Sequence, residues 1–501
     1  RPKPGETIQF TQNKSKEILS NHQLANAVID RSLLMPGISG QNQMRNYYLY
    51  LAEKRFSDEK ECLELKYPER DFYQYVEMWK LNFYAYQFEN EIKYAEKSIQ
   101  ELQSIFEKKP VDELCADLQV FSILPISTQK KLQPIYERLF QKLNELSKEE
   151  PKQLDGAVLY YCGVLMNQFE QSKYWREAGL QKLKEGIDIN NSYQSIQMCN
   201  LLINSFYFAK QYSLPVEEII KDKAYLASYE LMMRLDPDGS PPSVLGVYKR
   251  INYRETIWRA ALLFDLDDLR FVAYNALQNS DIQPPKNLNE FFEKTKTIIF
   301  RDTWNIAWKV SDWDNWKELE KGSLQKWLGQ DTTQVTIELK DDVLHLFSFN
   351  KPQLMVDFPH ELLSNCTDGV IENTEKLSIW SSKQKGIKIS FIKDKKPVIL
   401  IESTNPLAQV DLRFYHSDAS IRNINPNLSC IITTQSKWQN GIGSLRTKER
   451  GILKIESDAE FNDVIVETLP KFKGYHRVVS IANCCRIRIE CESGGARVDY
   501  R

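Results

Sequence analysis

Histidine is scarce in this chain, with five residues in 501, at positions 22, 345, 360, 416 and 476, none of them close to another in sequence. There is no HExxH pair and no Cys/His cluster, so a metal site has no local signature. The nine cysteines are an odd number and form no CxxC pair; only Cys484, Cys485 and Cys491 stand near one another. That scatter does not suit a disulfide framework, which is dense in short chains. It fits buried, reduced thiols and leans towards a cytoplasmic setting. Arg1 stands where a start Met is expected, which leaves a removed signal peptide and secretion open. No run reaches the roughly 18–20 apolar residues of a membrane-spanning helix. Charge of one sign is also missing, since 66 basic residues face 68 acidic ones. Neutralising many phosphates needs a basic excess or a basic face, so a nucleic-acid partner is not expected. There is no GxxxxGK[ST], no GxGxxG between a strand and a helix, no GxSxG elbow and no kinase signature set. Asp236-Pro237-Asp238-Gly239 opens like a calcium loop, but Val247 stands where the twelfth position needs an acid, and the segment reads as a turn. No cofactor is expected.

What is present is two textures. From about Asn13 to Leu235 apolar and aromatic residues recur three and four apart, as in Tyr73, Val76, Trp79 and Phe83. That is the period of amphipathic helices. Pro36, Pro68, Pro110, Pro125, Pro151 and Pro215, with Pro237 just beyond, divide the stretch at intervals that fit helix pairs. From Thr333 the texture becomes short runs of alternating character, among them QVTIELK, VLHLFSF, IKISFI, VILIE, VDLRFY and RIRIE. Ten such runs suit antiparallel strands in a β-sandwich. The expected fold is therefore α+β and multidomain: an all-α helical array or toroid followed by an antiparallel β-sandwich region. The expected divisions are an extended segment at 1–12, helices at 13–325, and a β region at 326–501, either one sandwich or two at 326–400 and 401–501.

Two clusters could carry binding. Trp304, Trp308, Trp313 and Trp316 follow one another closely where the texture changes. Such a group serves as a packing seam or as a ligand platform, and its position favours the seam. Lys471, Lys473, Tyr475, His476 and Arg477 interleave base and aromatic, which could grip an anionic ligand, although the pattern favours a solvated hairpin.

Six collinear stretches resemble the heparinase II/III-type polysaccharide lyases. They are 156–183 (GAVLYYCGVLMNQFEQSKYWREAGLQKL), LDPDGSPP at 235–242, LLFDLDDLRFVA at 262–273, IIFRDTW at 298–304, KPQLMVD at 351–357 and VDLRF at 410–414. The resemblance implies an α/α toroid ahead of a β-sandwich, with an Asn that neutralises a uronate carboxylate and a Tyr or His that takes the C5 proton. The catalytic pattern departs from this chain. The Asn-His pair available, Asn21-His22, lies far upstream, and the family's Tyr would fall on Gln197 or Met198, near Tyr193. Leu339-Lys340-Asp341-Asp342 replaces the expected His-x-Asp. A second resemblance, over residues 326–393, is to p23/CS-type β-sandwiches of co-chaperones, which implies protein partners.

Two functions follow as expectations. The first is a non-catalytic interaction or scaffold protein, with a protein partner held on a concave helical surface and a β-sandwich. The alternative is a lyase-like protein acting on or binding a uronate-containing polysaccharide, with Asn21, His22 and Tyr193 as its candidates. The first leaves the chain without enzymatic activity.

Overall fold

The computed structural model describes residues 91–121, 124–187, 192–236, 253–274, 284–304, 333–348, 354–414, 419–424, 427–440, 443–462, 465–468, 475–492 and 497–500, with 79, 82, 83, 86 and 189 as single positions. Nine helices longer than one turn lie among these residues: α1 (Ile92–Ile105), α2 (Val111–Val120), α3 (Gln133–Lys148), α4 (Gln153–Leu165), α5 (Gln171–Glu185), α6 (Ser192–Gln211), α7 (Glu218–Arg234), α8 (Arg254–Phe264) and α9 (Asp267–Tyr274). Their sequences explain them. α3 starts with Pro in its first turn and buries Ile135, Leu139 and Leu143 on a four-residue spacing. Each such side chain contributes about 1.5–3 kcal/mol. α4 differs, because Gly156 to Leu165 is buried without a break. An apolar helix of that kind is wrapped on all sides by its neighbours. Close approach of α5 is made possible by two glycines. A Cβ on Gly179 would stand 2.7 Å from the Gly156 carbonyl oxygen, and one on Gly156 would stand 2.8 Å from that of Gly179.

Fifteen strands follow among the described residues, and every pairing between them is antiparallel. The main path runs β1 (Asn289–Phe292), β2 (Thr297–Arg301), β3 (Thr333–Glu338), β4 (Val343–Ser348), β5 (Leu354–Asp357), β9 (Val398–Phe414), β14 (Tyr475–Glu492), β12 (Gly443–Ser457), β11 (Asn427–Asn440) and β10 (Ala419–Ile424). A branch of β6 (Val370–Asn373), β7 (Leu377–Ser382) and β8 (Ile387–Ile392) joins at β9, while β13 (Ile465–Thr468) pairs with β14 and β15 (Arg497–Tyr500) with β12. The long strands build the sandwich by changing partners along their length. The first half of β9 lies against β8 and its second half against β5. Ile389, Phe391, Ile401, Val410, Leu412, Ile487 and Ile489 are among the side chains filling the core between the layers.

β1 and β2 lie before Thr333, within the span that reads as helical in sequence. NEFF and TIIFR are short and carry no alternation of polar and apolar; β1 is half-buried, whereas β2 and its neighbour β3 are buried along their whole length. Their two faces are different. Ile298, Phe300, Val335 and Ile337 enter the sandwich core, whereas Thr297, Arg301, Gln334, Thr336 and Glu338 form a buried polar face.

That polar face is where helices and sheet are joined. Arg234, 1% exposed at the end of α7, donates to Ser192 Oγ at 2.7 Å, to Thr297 Oγ1 at 3.1 Å and to Thr295 Oγ1, and pairs with Glu230 at 2.8 Å. Its guanidinium lies 4.2 Å from the Phe292 ring centre. Thr297 in turn donates to Glu338 Oε2 at 2.8 Å. Four residues along β2, Arg301 donates to the carbonyls of Met233 and Leu235 at 3.1 and 2.6 Å, capping the C-terminus of α7. A cation at that end is favoured by the helix dipole. Gln334, the cross-strand partner of Arg301, donates to Asp236 at 3.2 Å.

Candidate functional site

The polar groups that converge within the helical region do so along α6. The helix buries Ile196, Cys199, Leu201, Leu202 and Ile203. Tyr193, Gln197, Asn200 and Asn204 instead fall on spacings of four, three and four, which stacks them in one stripe. Tyr193, Gln197 and Asn200 are half-buried and Asn204 is buried. Polar side chains in such a setting need partners, and neighbouring helices supply them. Asn204 donates to Asn200 Oδ1 at 2.9 Å, and Thr256 of α8 donates to the same oxygen at 2.6 Å. Arg259, one turn further along α8, donates to Asn204 Oδ1 at 2.6 Å. Its guanidinium carbon lies 4.9 Å from the ring centre of Phe208 and 5.5 Å from that of Tyr207. At the other end of the stripe, Gln197 donates to Asp112 Oδ2 at 3.4 Å, with Asp112 in the first turn of α2.

The electrostatics tie these groups into one site. Burial raises the Asp112 carboxyl above its ordinary pKa, Glu113 adds to the shift, and the Gln197 bond opposes it. Tyr161 is raised well above an ordinary phenol, first by burial, with Arg259 pulling it down and Asp112 pushing it up. Tyr161 therefore senses both ends of the stripe. Tyr253 is raised by burial and then by Tyr193 and Asp112, and Tyr212 is pushed up to about 12 by burial against the pull of Arg259. Phenols of this kind stay protonated near neutral pH and serve as hydrogen-bond or proton donors. Arg259, Asn204, Tyr161 and Tyr253 are buried, so the fixed guanidinium, the two amides and the protonated phenols form an interior cluster rich in donors, of the chemistry that pairs with a carboxylate and hydroxyl groups.

The residues singled out in sequence are distributed as follows. Trp304 is buried against the helical core, donates to the Asn287 carbonyl at 2.6 Å and carries the Arg301 guanidinium 4.0 Å from its ring centre. Trp308, Trp313, Trp316, Lys471, Lys473, Asn21 and His22 lie outside the described residues. Tyr475, His476 and Arg477 are on β14, opposite Thr468, Glu467 and Val466 of β13. Tyr193 stands on the α6 stripe, and so does Gln197. Asn200, Asn204, Thr256, Arg259 and Asp112 were not singled out in sequence. The four-three-four spacing on α6 was the available signal, whereas Asp112 and Arg259 arrive from distant helices.

Two histidines have described side chains, and neither bonds a tyrosine or an asparagine. His345 is buried on β4 with its Nε2 unpartnered, and burial pushes its pKa down to about 4. His360 is exposed and lies 3.8 Å from Glu361. Among the described residues no group of three or more His, Cys, Asp or Glu is gathered as metal ligands. Among them, too, no helix is long and apolar enough to cross a membrane.

No family model and no curated protein matches the chain. Among solved structures the fold resembles heparan sulfate lyase HepC of Pedobacter heparinus. A mutant form of that lyase aligns with a TM-score of 0.47 and 11% identity, over 94% of this chain and 83% of that one. A second structure of the lyase gives 0.44 and 11%, over 97% and 85%. A heparinase III gene product gives 0.46 and 12%, over 95% and 88%. The likeness is one of architecture, helices followed by an antiparallel sheet, and at this identity it carries no residue's role across.

Proposed function

We propose that this chain binds a uronate-containing polysaccharide along the α6 stripe and acts on it in the manner of a polysaccharide lyase. The observation that supports this reading is the meeting of Arg259, Asn200, Asn204, Tyr161, Tyr253 and Asp112 on three helices and the start of a fourth. An interaction scaffold would call for an apolar groove without converging titratable groups, so the cluster favours the carbohydrate reading over it. The chemistry follows from the donors. Elimination from a uronate requires its carboxylate to be neutralised before the adjacent carbon loses a proton. The Asn200 and Asn204 amides, backed by the Arg259 charge, are suited to that task; the Asp112 carboxylate takes the C5 proton as the C4–O4 bond breaks and C4=C5 forms, and a protonated phenol gives the leaving oxygen its proton.

The test is titration of the full chain with a panel of uronate polymers, following both heat and the absorbance of the unsaturated product. At least one polymer is expected to bind, and Arg259→Gln to weaken it about ten-fold or more, as for loss of a charged hydrogen-bond donor. Absence of heat and absorbance with every polymer would overturn the reading.

A further inference from the structure

Two cysteines meet in the helical core. Cys115 lies on α2 and Cys162 on α4, both fully buried and both free thiols. Their side chains cross. Cys115 Sγ lies 3.8 Å from the Cys162 carbonyl oxygen, and Cys162 Sγ lies 4.0 Å from that of Val111, one turn before Cys115. The Cys162 thiol is also in hydrogen-bond contact with that of Cys115. Each sulfur thus reaches the backbone that carries the other, which is the close approach of main chains that a disulfide requires. The two cysteines are 47 residues apart in sequence. A bond between them would close a long loop of the unfolded chain, where a disulfide stabilises most.

We infer that Cys115 and Cys162 form a disulfide when the chain folds in an oxidising compartment, pinning α2 to α4. The step is two thiol–disulfide exchanges. The thiolate of one cysteine attacks an oxidant disulfide and releases one half of it as a thiol; the second cysteine then displaces the other half. One S–S bond breaks and one forms. The oxidant is reduced to two thiols, which take up the two protons that the cysteines lose. The exchange belongs to folding, before the core closes. In the closed core both sulfurs are out of reach, and burial holds the Cys162 thiol well above its ordinary pKa, so the reactive thiolate is scarce. The same burial shields the finished bond from reductants. Asp112 stands three residues before Cys115 in the first turn of α2, so the bond also fixes the helix end that meets Gln197 of α6. Nothing in this step depends on the nature of the ligand.

The test produces the full chain in a bacterial periplasm, where a disulfide oxidant is supplied. Free thiols are alkylated in denaturant without reductant, and the digested chain is mapped by mass. The peptides carrying Cys115 and Cys162 are expected to be joined to each other and to separate on reduction. Guanidinium unfolding followed by far-ultraviolet dichroism should show the helical transition at a lower midpoint once reductant is added. That difference should shrink in Cys115→Ala and in Cys162→Ala, a comparison made within each variant and so independent of its own stability. Recovery of both cysteines as alkylated thiols, or joined to other cysteines, would overturn the inference. So would a midpoint that reductant leaves unchanged, or an undiminished difference in both alanine variants.

Discussion

Replacing Arg234 with Met tests the seam between helices and sheet. Arg234 is fully buried, fills an aliphatic volume close to that of Met, and reaches Ser192, Glu230, Thr295 and Thr297 from α6, α7 and the β1–β2 turn. The substitution keeps the aliphatic stem and removes the charged head, including its contact with the Phe292 ring. It leaves Glu338 buried without the nearest cation that lowers its pKa and strips three hydroxyls of a partner. Breaking a buried charged network by deleting one member costs about 3–5 kcal/mol. The individual hydrogen bonds are not summed, since they belong to one network. Guanidinium unfolding followed by tryptophan fluorescence provides the assay, with the midpoint lowered at unchanged slope. A companion variant, Arg234→Met with Glu338→Gln, removes the stranded acid and should recover part of the loss. A cost of less than about 1 kcal/mol for the single variant, or no recovery in the double, would refute the view that this network joins the two regions.

His345 and Asp302 make opposite pH predictions. The His345 pKa is pushed down to about 4 by burial from about 6.5 in an unfolded chain, so the unfolded state takes up the proton first. Stability should fall as pH drops through that window, by about 3 kcal/mol in all, and His345→Leu should remove this slope in acid unfolding curves. Burial pushes Asp302 up to about 6 despite the amide of Thr333 and the charge of Arg301. Its ionised form therefore costs stability above that pH. Asp302→Asn should raise stability by about 1–3 kcal/mol at pH 7 and by nothing once the pH is below the ordinary carboxylate range, checked in the same curves. At the α4–α5 crossing, Gly179→Ala forces a methyl against the Gly156 carbonyl and the Tyr160 amide, each 2.7 Å away. Such overpacking should cost about 1–3 kcal/mol in chemical unfolding.

The helices were legible wherever one face is buried and the other wet, as in α3, and the strands wherever polar and apolar alternate. β7 shows the latter, with every second residue buried. Legibility failed where burial is two-sided, because β2 shows no alternation to read. It also failed at Pro406, which separates VILIE from VDLRFY in sequence as a turn would. In the structure VILIE and VDLRF both belong to β9, and the proline falls where the register with β14 shifts between Cys484 and Arg486. A proline is tolerated there because no ladder hydrogen bond is required of it. The candidate site was half legible. Tyr193 was named, and the stripe it belongs to is written in the spacing of Gln197, Asn200 and Asn204. Arg259 and Asp112 carry no local signal, since their roles arise from packing of α8 and α2 on α6.

A crystal structure of the full chain with a short uronate-containing oligosaccharide would test the site most directly. The sugar is expected to lie along α6, its carboxylate nearest Asn200 and Asn204. An oligosaccharide bound elsewhere, with these side chains untouched, would contradict the assignment.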